Sequence, residues 1–86
     1  MPPVTTAYIN YLLDRFRLTL RCHERPDDLS TELIFRDKDI GIAEWHYIAN
    51  YELLYRCKAS ESTAIVEEII RQAAENIDRW YEEHGV

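Results

Sequence analysis

Between Ser60 and His84, the apolar residues Ile65, Val66, Ile69, Ile70, Ala73, Ile77, Trp80 and Tyr81 recur at steps of three and four. That spacing lines one face of an α-helix, so the stretch reads as one long amphipathic helix. Its stripe is the longest apolar surface in the chain and must be buried against something. The opposite side carries Glu61, Glu67, Glu68, Glu75, Asp78, Glu82 and Glu83 against only Arg71 and Arg79. The question for the rest of the chain is what this helix covers.

Strands are the answer that alternation gives. Phe16, Leu18, Leu20 and Cys22 alternate with Arg15, Arg17, Thr19, Arg21 and His23, which predicts a strand with one apolar and one basic face. The same residues also fit a continuation of a first helix, predicted from Ala7 to about Asp14, with Thr5 or Thr6 as its cap and Ile9, Leu12 and Leu13 facing inward. Glu24 to Asp28, with Pro26, predicts a turn. Leu29, Thr31, Leu33 and Phe35 then alternate with Ser30, Glu32, Ile34 and Arg36 as a second strand. After the polar break at Asp37, Lys38 and Asp39, a third strand is expected over Ile40 to Tyr47, with Gly41 weakening it or marking a bulge. Ile48 to Asn50 reads as a turn and Tyr51 to Lys58 as a fourth strand, although residues 42–57 also admit a partly helical reading. Ser60 or Ser62 is positioned to cap the long helix.

The fold class that follows is α+β: a helix, three or four antiparallel strands and a long C-terminal helix, both helices on one sheet face. With 86 residues and no Pro-, Gly- or Ser-rich linker, residues 1–86 read as one domain. Two Trp, two Phe and six Tyr supply its packing, and Trp80 is the residue expected in the core over the first helix.

Charge separates two candidate surfaces. The net charge is −6, of which residues 61–86 carry −5 and residues 1–60 only −1. The acidic helix face, with Glu61, Glu68, Glu75 and Glu82 every seven residues, is the first candidate for binding a partner. Such a row can imitate a phosphate backbone toward a basic cleft. Pairs such as Glu67 with Arg71 and Glu75 with Arg79 are also the ordinary way an exposed helix stabilises itself. The second candidate is the open sheet face, where the predicted strands gather Arg15, Arg17, Arg21, Arg36, Arg56 and Lys58, partly neutralised by Glu32 and Glu52, with Ile34 and Leu54 as apolar contacts. A phosphate or an acidic protein suits that face, yet it holds no aromatic pair placed to stack bases.

Catalytic patterns are not found: there is no Gly-rich phosphate loop, no Gly-x-Ser-x-Gly elbow and no His-Glu-x-x-His. Cys22, His23, His46 and Cys57 lack the paired spacing of a zinc site, and the two cysteines read as small core residues. No cofactor is expected. Met1 to Thr6 has no basic run before an apolar core, and no stretch approaches about 20 apolar residues, so a cytoplasmic protein away from membranes is expected. The composition therefore points to a small acidic protein-binding domain acting by occlusion, an inhibitor or accessory factor. Phage-type inhibitors of defence nucleases and immunity proteins are of this type, and a basic nucleic-acid enzyme is a fitting target. Nucleic-acid binding through the arginine-rich face and self-association, as a homodimer for example, are the alternatives.

Overall fold

The computed structural model describes residues 6–27, 30–49 and 59–85. In chain order these form α1 (Thr6–Phe16), β1 (Leu18–Arg25), β2 (Ser30–Asp37), β3 (Glu44–Ala49) and α2 (Ala59–His84). The strands make one antiparallel sheet in the order β1-β2-β3, and both helices pack on one of its faces. This is the small α+β fold that the patterning predicts.

Side-chain phase explains the two layers. Leu18 and Leu20 of β1, Leu33 and Phe35 of β2, and Trp45 and Tyr47 of β3 all point toward the helices. The register sets Leu20 and Trp45 on either side of Phe35, and Tyr47 beside Leu33. The Phe35 and Trp45 rings lie 6.0 Å apart, and Trp45 and Tyr47 5.8 Å, distances at which aromatic pairs attract. From above, α1 contributes Leu12 and Leu13, and α2 contributes Ile69, Ile70, Ala73, Ile77 and Tyr81. Ala73 is fully buried. No helix among the described residues is long and apolar enough to cross a membrane.

Several local expectations change. α1 continues to Phe16, whose ring packs against the core as a helical residue, and β1 starts only at Leu18. Between them Arg17 adopts φ 57°, the left-handed conformation that ends many helices and that glycine usually supplies. Its carbonyl accepts the Lys38 amide at 2.9 Å, which ties the end of α1 to the end of β2. β1 runs on to Arg25 before the expected turn at Pro26 and Asp27, and past Leu20 its residues outrun the helical cover. Cys22 is therefore exposed, not a core residue, although it lies on the helix-facing side. β3 begins at Glu44 and includes Ile48 and Ala49, where a turn was expected. α2 begins at Ala59, so Ser60 and Ser62 fall within its first turn. The fourth strand expected over residues 51–58 lies outside the described residues, as do Thr5 and Cys57.

The delayed start of β3 has a cause in hydrogen bonding. One oxygen of the Asp37 carboxylate accepts the amides of Ile40, at 2.6 Å, and Gly41, at 3.0 Å. The Tyr81 hydroxyl accepts those of Ile42, at 3.2 Å, and Ala43, at 3.0 Å. Four successive amides are thus committed to side chains and unavailable to a sheet ladder. Gly41 sits in this loop at φ +76°, and a Cβ built there would meet only the Asp37 carbonyl at 3.9 Å. Gly41→Ala is accordingly expected to lose about 1 kcal/mol of stability through backbone strain alone. A urea melt indistinguishable from wild type would show that the loop does not hold this conformation.

Candidate functional site

The open sheet face carries Thr19, Arg21, His23 and Arg25 from β1, Glu32, Ile34 and Arg36 from β2, and Glu44, His46 and Ile48 from β3. Two of the six cations predicted for it are there, Arg21 and Arg36. Arg15 belongs to α1, where its guanidinium lies 5.8 Å from the centroid of the Phe16 ring. Arg17 stands at the α1–β1 junction and binds the Asp39 carboxylate through Nε at 3.0 Å and Nη2 at 2.7 Å. Both misplacements follow from the strand starting after Arg17. Arg56, Lys58, Glu52 and Leu54 lie outside the described residues.

Glu44 organises what remains. Its Oε2 accepts Arg36 at 2.7 Å and Arg21 at 3.1 Å, and Arg36 is its direct cross-strand partner. The hydrogen bond from Arg36 holds the Glu44 carboxyl below its ordinary range, against a smaller opposing effect of desolvation, with His46 and Arg21 adding to it. His46 bridges the two acids of the face, with Nδ1 3.4 Å from Glu32 and Nε2 3.6 Å from Glu44. The described face thus has three arginines against two glutamates, with one glutamate closed over two of the arginines. The sequence signal for this existed: Trp45 and Tyr47 alternate with Glu44 and His46, which puts the latter two on the face that carries Arg36.

On α2, Glu68, Glu75 and Glu82 are exposed as predicted, and Glu61 falls in the first turn. Arg71 binds both Glu68 and Glu75. It also donates through Nε to Glu68 Oε2 at 3.0 Å, and Gln72 adds a bond to Glu68 at 3.1 Å. These donors hold the Glu68 carboxyl below its ordinary value, Arg71 contributing most. The ion pairs differ from the expected ones, since Arg71 serves Glu68 and Glu75 while Glu67 accepts the Tyr8 hydroxyl at 3.4 Å. The C-terminal end of the helix is different again. Asp78, Glu82 and Glu83 occupy its last two turns, and His84 is the basic residue of the last turn. Helix dipoles favour cations in the last turn, so Glu82 and Glu83 oppose the dipole there, while Asp78 lies one turn earlier beside Arg79.

The third constellation was missed by sequence reasoning. Tyr81, not Trp80, takes the core position: the residue is 8% exposed, whereas Trp80 is half-buried and stacked on the His84 ring, centroids 4.0 Å apart. Besides accepting two loop amides, the Tyr81 hydroxyl donates to Asp37 Oδ1. Burial opposes ionisation of Asp37, but the bonds from Tyr81, Ile40 and Gly41 outweigh it and hold the carboxyl below its ordinary value. Beside this clasp, between the end of α1, the β2–β3 loop and α2, lies an open groove of about 330 Å³. Among the described residues no cluster of His, Cys, Asp or Glu is arranged to hold a metal ion.

Compared with protein-family models, with curated proteins and with solved structures, the chain shows no match.

Proposed function

We propose that this chain is a protein-binding domain that acts by occluding a basic site on a partner protein, as an inhibitor or accessory factor does, with the acidic side of α2 as its contact surface. The observation that carries this reading is where the charge lies. The three strands together hold a net −1, whereas α2 holds −5, and Glu82 and Glu83 sit in the last turn, where they cost helix stability. A charge arrangement that stability disfavours is the kind a binding role explains. The nucleic-acid alternative draws less support from the geometry, because a phosphate on the open face meets Glu44 and Glu32 beside every arginine pair. No catalysis enters this reading. A basic nucleic-acid enzyme remains a fitting partner, since its cleft is shaped for a row of negative charge.

The test is affinity capture from the native host with the wild-type chain and with Glu68→Lys, Glu75→Lys and Glu82→Lys combined. The wild type is expected to retain a basic protein that the triple variant loses, and that retention is expected to weaken with salt. Circular dichroism should show the same helix content in both chains. Equal retention of the same partner by both removes the acidic helix from the contact.

A further inference from the structure

The β2–β3 loop displays two isoleucines to solvent, Ile40 at 49% exposure and Ile42 at 62%. They are not loosely held. The amides of residues 40–43 are all bound, by the Asp37 carboxylate or by the Tyr81 hydroxyl, and β-branched side chains are stiff at χ1. An apolar contact made here therefore costs little ordering entropy, a property of binding anchors. Ile40 forms one wall of the groove described above. The apolar lining of the groove comes from Phe16, Leu18, Ala74 and Ile77.

Its charged residues are unequally committed. Asp37 is bonded to Tyr81 and two amides, and Asp39 to Arg17. Arg15 has its guanidinium by the Phe16 ring and no ion pair among the described residues. Asp78, on the α2 side, has no hydrogen bond or ion pair among the described residues, and the exposed Glu82 follows it one turn later along the helix. With three carboxylates, Asp37, Asp39 and Asp78, against two guanidiniums, Arg15 and Arg17, the lining is net negative, and beside two fixed isoleucines it suits a long cationic side chain with apolar neighbours.

We propose that the groove receives an arginine or lysine side chain of the partner protein, its aliphatic stem on the half-buried Ala74 and Phe16, its head group on Asp78, and an adjoining apolar residue on Ile40 and Ile42. This deepens the protein-binding reading and rests on it. It places the centre of the contact at the loop and the C-terminal half of α2, with Glu68 and Glu75 toward the rim. Anchors of this kind, an apolar residue and a desolvated charge pair, carry most of the energy in protein interfaces.

The probe is an acetylated, amidated pentapeptide alternating leucine and arginine, titrated into the isotope-labelled chain and followed by amide chemical shifts. Saturable shifts are expected at residues 38–43 and 74–82. The same peptide with citrulline for arginine, which keeps the shape and removes the charge, is expected to bind about tenfold more weakly, as is the original peptide to Asp78→Asn. Ile42→Ser, at an exposed position that leaves the core intact, is expected to weaken binding several-fold. Shifts centred on Glu68 and Glu75, indifferent to Asp78→Asn, overturn the groove while leaving the acidic helix as the contact. The absence of any saturable shift also overturns it, and the fate of the protein-binding reading is then decided separately by the capture experiment with the triple lysine variant.

Discussion

Phe35→Ala is expected to lower the unfolding free energy by about 3–5 kcal/mol, the usual range for removing a buried phenylalanine. A domain of this size has about 5–15 kcal/mol in total, so the variant should be largely unfolded by mild urea. The effect is large because of where Phe35 stands. It lies on the central strand, 1% exposed, with Leu20 on one side and Trp45 on the other, beneath the helical layer. Truncation removes contacts to both neighbouring strands and leaves a cavity that rigid β-ladders cannot collapse to fill. Ile34, the preceding residue, points to the open face and is the internal control. Ile34→Ala is expected to cost less than about half as much, since its side chain is only half-buried and no layer covers it. The measurement is a pair of urea melts with m-values compared. A Phe35→Ala loss no larger than that of Ile34→Ala contradicts the strand phase on which the two-layer fold depends.

That phase was legible in the residues themselves. The stripe from Ile65 to Tyr81 and the alternation of Leu18 with Leu20 and of Leu33 with Phe35 are properties of spacing, and spacing survives folding unchanged. The errors fall where a distant group decides the local structure. Nothing in Asp14-Arg15-Phe16-Arg17-Leu18 announces a left-handed residue, because arginine has no preference for that conformation; Asp39, twenty-two positions away, and the Lys38 amide hold Arg17 there. Ile40 to Ala43 alternates well enough to read as a strand, but its amides are taken by Asp37 and by Tyr81 from the far helix. Trp80 and Tyr81 are both compatible with the α2 stripe, and the partners of the tyrosine hydroxyl select it for the core. The first of these errors also put two arginines on the open sheet face that the structure places elsewhere. Once β1 starts at Leu18, Arg15 and Arg17 leave the face, and the third strand supplies Glu44 to close over Arg21 and Arg36. The exposure of Glu68, Glu75 and Glu82 needed no distant information, since helical spacing alone sets them opposite the buried stripe.

Tyr81→Phe is expected to lose about 2 kcal/mol at pH 7, because one hydroxyl satisfies three groups and the ring that remains satisfies none of them. The Ala43 amide is buried and cannot turn to water, whereas the Ile42 amide is closer to solvent. The third group, Asp37, makes the loss depend on pH. Its carboxyl titrates below its ordinary value in the folded chain, so the stability it contributes is present above the unfolded aspartate pKa of about 3.9 and is lost as pH falls through the lower folded value. Removing the Tyr81 hydroxyl takes away one of the bonds that depress it, and the folded value rises back toward the ordinary one. The stability gap between wild type and Tyr81→Phe should therefore be widest near neutrality and narrow as the solution is acidified below about pH 4. Asp39, Glu44 and Glu68 are also held low by their arginines and make both chains acid-sensitive, but they are common to the two and cancel in the difference. Urea melts at pH 7, 5, 4 and 3 measure the gap directly. A gap that stays constant means that the hydroxyl acts only through the loop amides. A gap that persists in the Asp37→Asn background but no longer changes with pH assigns the pH-dependent part to the tyrosine–aspartate bond and the rest to the loop amides, which together hold Ile40 and Ile42 out toward a partner.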